Sequence, residues 1–105
     1  MSTIGTFRKI ANEYTGSIKT LSISATKVRV VPLPASTNDK APTHRVYVGA
    51  VELGAAWQKQ VQDSEREYLA VKLDDPSFPA PIYANLTMAD EAGELFQLIW
   101  NRPGN

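Results

Sequence analysis

Short apolar runs with a period near two recur along the whole chain, separated by clusters of Gly, Pro, Asn and Asp, and this pattern predicts strands rather than helices. About eight such runs stand out. Residues 3–10 set Ile4, Thr6, Arg8 and Ile10 against Gly5, Phe7 and Lys9, an imperfect alternation. After a turn at residues 11–13, the run 14–23 places Tyr14 and Ile18 on one parity and Leu21 and Ile23 on the other. A β-bulge near Thr20 would account for the switch, because one extra residue moves every later side chain to the opposite face. Residues 27–33 carry Val28, Val30 and Val31 and stop at Pro32 and Pro34, which lack the N–H that continued pairing needs.

The second half repeats the theme. Val46 and Val48 alternate with Arg45 and Tyr47, and Leu53, Ala55 and Trp57 share one parity of the next run. Gly49 and Gly54 bracket the join between these runs, where a positive φ or a close backbone approach is expected. Residues 67–73 alternate most cleanly, with Leu69, Val71 and Leu73 against Tyr68, Ala70 and Lys72. They pair with residues 53–59 as a hairpin closed by the polar turn Gln62, Asp63, Ser64 and Glu65. Residues 82–86 and 95–101 make a last pair around Ala92 and Gly93.

Runs spaced this closely predict an all-β, single-domain antiparallel meander of about seven or eight short strands, closing as a small barrel or a two-layer sandwich. Parallel pairing needs a crossover of about a dozen residues. Only two connections approach that length. Residues 34–43, PASTNDKAPT, read as a flexible loop, and residues 74–81, DDPSFPAP, as a loop stiffened by three prolines that each fix φ.

Composition narrows the function classes. The 105 residues fit one domain, 1–105, and 43% hydrophobic with 21% charged content is ordinary for a globular chain. With no cysteine there is no disulfide, thiolate metal site or Cys nucleophile, and a single histidine, His44, removes most remaining metal chemistry. No secretory signal pattern and no apolar run of membrane-spanning length is visible, so a cytoplasmic protein with no membrane partner is expected.

The formal net charge is zero, but it is unevenly spread: seven bases stand against two acids in residues 1–45, and four against nine in residues 46–105. Separate surfaces for the two halves would give one basic face. Interleaved strands would neutralise it.

Asp74 and Asp75 are adjacent carboxylates, yet an acid–base pair needs one of them buried, and before Pro76 they read as a turn opener. His44 lacks a positioned nucleophile and an orienting acid. None of the glycine-rich phosphate loops or the zinc-helix motif occurs. The expectation is therefore no catalytic residue, no cofactor and no metal. Aromatics interleaved with cations on a barrel can stack bases and neutralise phosphates, and Tyr14, Lys19, Lys27, Arg29, Arg45 and Tyr47 are the candidates for such a nucleic-acid surface. Phe7, Trp57, Phe96 and Trp100 are expected in the core.

The segments IGTF (4–7), YTGSIKTL (14–21), GAAW (54–57), YLAVKLDDPSFPAPIYANL (68–86) and LIWNRP (98–103) closely resemble the bacterial domain-of-unknown-function family numbered 736. The resemblance runs over nearly the whole chain and implies a small cytoplasmic protein of the kind carried on conjugative plasmids and integrated mobile elements. It brings no activity with it. The chain departs from the family pattern at Asn12 and Glu13, where an Asp-Gly turn is usual, and at Thr43 and His44, where Asp-Tyr is usual, which weakens any shared role for His44.

Phe78 stands at the centre of the proline-braced loop. With Asp74 and Asp75 it is the candidate protein-binding anchor, a ring presented at low entropic cost; the alternative is that it folds back to plug one end of the barrel. The expected function is a non-enzymatic interaction protein that binds, and inhibits or regulates, a host protein or nucleoprotein complex such as a defence system. Docking or edge-strand pairing would serve that purpose. Nucleic-acid binding by the basic first half is the runner-up, and a homodimer that buries exposed aromatics is a third arrangement.

Overall fold

The computed structural model describes residues 2–21, 23–34, 38, 40–60 and 67–100. Eight strands follow one another: β1 (Ser2–Ile10), β2 (Glu13–Lys19), β3 (Ser24–Pro32), β4 (His44–Val48), β5 (Val51–Gln60), β6 (Glu67–Leu73), β7 (Ile82–Met88) and β8 (Leu95–Trp100). Each pairs antiparallel with its neighbour in sequence, and β1 also pairs with β8, from Ser2 opposite Trp100 to Arg8 opposite Leu95. The sheet is therefore a closed barrel rather than a sandwich. Closure removes the open edge that edge-strand pairing would need.

Eight strands enclose a space just wide enough for side chains to fill. Phe7, Ile18, Val28, Val30, Val46, Leu69, Val71, Leu73, Leu86 and Leu98 fill it, with Ala56 and Ala84 where there is less room. The expected hairpin of the fifth and sixth runs forms, from Gly54 opposite Leu73 to Gln60 opposite Glu67; its turn, 62–65, lies outside the described residues. So do residues 35–37 and 39 of the loop 34–43. The last pair closes around Gly93, which has φ +75°, and the Asp90 carboxylate accepts the N–H groups of Gly93, Glu94 and Leu95.

Irregular alternation in the sequence has its cause in three bulges, none of them at Thr20. The register of β1 against β8 shifts between Thr3 and Gly5, so Ile4 packs against the core although Gly5 and Phe7 also face it. Strand β2 ends at Lys19 instead of continuing to Ile23, because the Thr20 hydroxyl accepts the Ile23 N–H at 3.0 Å and closes a turn that leaves Leu21 wholly exposed. The extra residue sits across the pair, in β3: Gly16 faces Val28 but Ile18 faces Ala25, and Lys27 takes φ +59° there.

The third bulge, in β5, separates Leu53 from its expected companions. Tyr47 faces Glu52 and Val46 faces Gly54, so Leu53 turns into the core while Ala55 and Trp57 lie on the outer wall. The expectation of a core Trp57 is thus corrected. Trp100 does pack against the core, as does Phe96.

Two glycines let the wall bend. A Cβ on Gly16 would lie 1.9 Å from the Thr6 carbonyl oxygen, and one on Gly54 would lie 2.0 Å from that of Lys72. Gly54 is therefore the close approach expected there, and Gly49, at φ +61°, is the positive-φ turn.

Candidate functional site

The proline-braced loop joins β6 to β7 and lies over one end of the barrel. The Asp74 N–H donates to the Leu53 carbonyl, and the Phe78 N–H donates to that of Asp75, closing a turn with Pro76 at its second position. Asp75 also accepts the hydroxyl and the backbone N–H of Ser77, in that order of strength, and both hold its carboxyl below the ordinary value. These are the contacts of a turn opener. Phe78 is half-buried and packs against the core cluster, the folded-back arrangement. Asp74, Asp75 and Phe78 are thus neighbours in one loop, Asp74 exposed and Asp75 and Phe78 half-buried.

The basic residues of the first half are only partly brought together. Arg29 faces Tyr47 across β3 and β4, with its guanidinium 6.0 Å from the ring centroid, and Arg45 lies two residues away on the same wall. Both arginines are paired with acids, Arg29 with Glu13 at 3.7 Å and Arg45 with Glu52 at 3.5 Å. Lys19 ends β2 and Lys27 occupies the bulge. Tyr14 is not on that wall, because its parity turns it into the barrel.

Tyr14 instead organises the end of the barrel opposite the proline loop. Its ring meets Phe96 edge-on at 4.9 Å, stands 6.1 Å from the His44 ring and lies under the Lys9 ammonium at 5.7 Å. Burial raises the Tyr14 hydroxyl above its ordinary value, and the Glu67 charge adds to the effect. His44, 9% exposed, is lowered by burial and further by Lys9. The Thr43 hydroxyl lies 2.9 Å from His44 Nδ1 and accepts the Gln58 N–H. Beside this cluster a cavity of about 40 Å³ is lined by Gln58, Glu67, Leu69, Leu86 and the two rings, Tyr14 and Phe96. Its size suits a water molecule, not a substrate. Among the described residues, no three His, Cys, Asp or Glu side chains gather to hold a metal.

A wider concavity, about 670 Å³, lies on the outer wall of β5–β8. The registers lay this wall out as rows. Trp57, Ala70, Asn85 and Ile99 stand side by side on four successive strands; Ala55, Lys72 and Tyr83 form the row on one side, and Lys59 and Tyr68 open the row on the other. Ala70 makes a low floor between the Trp57 ring and Asn85. The indole N–H of Trp57 donates to the Lys40 carbonyl at 2.9 Å, which ties the loop before β4 to the rim. Tyr83 is 57% exposed, with the Lys72 ammonium 6.0 Å from its ring centroid.

The groove lining holds Lys40, Lys59 and Lys72 and, among the described residues, no acidic side chain. Among the described residues, none of these lysines is in an ion pair. The described acids of the second half lie elsewhere: Asp74, Asp75, Asp90, Glu91 and Glu94 are in loops, and Glu52 and Glu67 are near strand ends. Counting charge by halves of the sequence hides this surface. The signal that would have found it is the parity of Trp57 with Lys59 on β5, facing Ala70 and Lys72 on β6.

The fold and its surfaces define a side-chain-filled, eight-stranded meander barrel whose accessible chemistry lies on the outside. The chain belongs to the family described as Protein of unknown function (DUF736), which matches residues 3–103. No curated protein and no solved structure matches it.

Proposed function

We propose that the protein is a non-enzymatic interaction module of the bacterial cytoplasm, carried by mobile elements, which docks on a host protein or nucleoprotein complex and inhibits or regulates it. The observation that carries this reading is the division between inside and outside. Packed aliphatic side chains occupy the interior, whereas the 670 Å³ concavity with its exposed ring and lysines faces outward. A surface that keeps Tyr83 in solvent beside lysines that make no ion pair among the described residues is built for contact, since aromatic rings are enriched where partners anchor.

The test is capture from lysate of a host bacterium, with the wild-type protein and the Trp57→Ala/Tyr83→Ala variant as baits. A protein or nucleoprotein complex retained by the first and lost from the second supports the reading. Identical retention by both baits overturns the assignment to the β5–β8 wall. Binding that requires Lys27 and Arg29 instead favours the β3–β4 wall, where Arg29 and Tyr47 are neighbours.

A further inference from the structure

We infer that the occupant of the β5–β8 groove is single-stranded nucleic acid, held by base stacking on Trp57 and Tyr83 and by phosphate contacts to Lys40, Lys59 and Lys72. The inference rests on the reading of this wall as the docking surface and names what docks there.

Charge comes first. A chain with zero net charge has no overall field to attract a polyanion, so attraction must be local. The groove supplies it, with three lysines and, among the described residues, no carboxylate in the lining. An acidic peptide would satisfy the lysines equally well. The rings favour nucleic acid over such a peptide.

Trp57 has its single polar group already bonded to the Lys40 carbonyl, so the ring offers a partner its face and edge rather than a donor. That bond also fixes the plane of the ring, lowering the ordering cost of a stack. Tyr83 stands two strands away and one row along, roughly 10 Å across the wall at ordinary strand spacing. On β6 the path from ring to ring passes between the small Ala70, level with Trp57, and Lys72, level with Tyr83, which gives a crossing chain room on one side and a cation on the other. Asn85, next to Ala70 in the same row, presents both a donor and an acceptor to a base edge. Stacking platforms bordered by cations are the common feature of sequence-tolerant single-strand binders. Duplex DNA cannot use them, because its bases are already stacked.

The experiment is fluorescence anisotropy with labelled oligothymidylate and oligouridylate of about 15 nucleotides, a length within the usual site size of one barrel, against a duplex of the same length and a polyglutamate peptide. Saturable single-strand binding at least tenfold tighter than duplex or peptide is expected. Three phosphate contacts set the slope of log affinity against log salt near −2 for a single strand, and Lys59→Ala/Lys72→Ala should bring it to about −0.7. Trp57→Ala should weaken binding about tenfold or more, and Tyr83→Ala, at an exposed position, tests stacking without risk to the fold. Lys27→Ala/Arg29→Ala should change nothing.

Absence of single-strand binding at about 100 μM, the weak end of non-specific affinity, overturns the inference. So does preference for the peptide, indifference to both ring substitutions, or loss of binding with Lys27 and Arg29. If oligonucleotides fail while Trp57→Ala/Tyr83→Ala still loses the captured partner, the wall remains a docking surface for a protein and only the nucleic-acid occupant is refuted.

Discussion

The indole N–H of Trp57, on the outer wall of β5, donates to the backbone carbonyl of Lys40 at 2.9 Å and ties the β3–β4 connection to the wall seventeen residues further along the chain. A hydrogen bond of this kind is worth about 0.5–1.5 kcal/mol. Trp57→Phe removes the donor and keeps an aromatic face. It should lower the midpoint of thermal unfolding by a few degrees, read by circular dichroism, and leave most of the groove's ring contact in place.

Gly16 and Gly54 mark where neighbouring strands come too close for any side chain. A methyl group at either position would overlap a carbonyl oxygen of the next strand, at 1.9 Å and 2.0 Å. Backbone atoms cannot yield as a flexible side chain does, so Gly16→Ala and Gly54→Ala should each cost about 3 kcal/mol or more. Urea unfolding would check this. Gly49→Ala adds a methyl into open space and is a different case, because its cost comes from φ +61° alone and should be smaller.

Much of this architecture is legible in the sequence. Strand number, antiparallel order and the β5–β6 hairpin follow from local alternation, because each strand pairs with its neighbours in the chain. Barrel closure is not local. It depends on β1 meeting β8 over a separation of about ninety residues, and no alternation within either strand encodes that.

Bulges limit the rest. Leu53 and Trp57 share parity in the sequence, yet one extra residue in β5 sends Leu53 inward and leaves Trp57 on the wall. Tyr14 looks like a neighbour of Arg29 when charges are counted along the first half; strand parity turns it inside. The β5–β8 groove is hidden for a related reason: two of its three lysines, Lys59 and Lys72, belong to the acid-rich half, whose carboxylates, among the described residues, stand in turns and near strand ends, while Lys40 comes from the loop before β4.

Ala11 occupies φ +56° in the two-residue turn between β1 and β2, and Asn12, the other turn residue, has no positive φ. This is the pattern of a type II′ turn, whose first position favours glycine. A left-handed conformation costs a residue with a Cβ about 1–2 kcal/mol, and the greater freedom of glycine in the unfolded chain offsets part of the gain. Ala11→Gly should therefore stabilise the protein by about 0.5–1 kcal/mol. A rise of several degrees in the thermal midpoint is expected, and a fall would show that the turn has another geometry.

His44 makes stability depend on pH. Burial and, secondarily, Lys9 hold its imidazole below the ordinary 6.5, so near that pH the unfolded chain binds more protons than the folded one. Stability is therefore greatest above the unfolded value and is lost as pH falls through it toward the lower folded value. Urea midpoints should drop between about pH 7.5 and 5.5, and His44→Gln should flatten that slope. Asp75, whose carboxyl is also depressed, acts only at lower pH, from below its ordinary 3.8. The interval above pH 5.5 therefore isolates the histidine.

Phe78 tests what the proline-braced loop contributes. Its ring is half-buried against the core, and the turn beneath it is closed by Asp75 whatever the side chain at 78. Complete burial of a phenylalanine makes truncation cost about 3–5 kcal/mol, so Phe78→Ala should cost about 1–3 kcal/mol and leave a folded barrel. Urea unfolding and partner capture on the same variant separate two roles for the ring. A loss of stability with capture intact identifies a plug for the barrel end. Capture lost at unchanged stability would make Phe78 an anchor despite its contacts, and would move the docking surface from the β5–β8 wall to the β6–β7 loop.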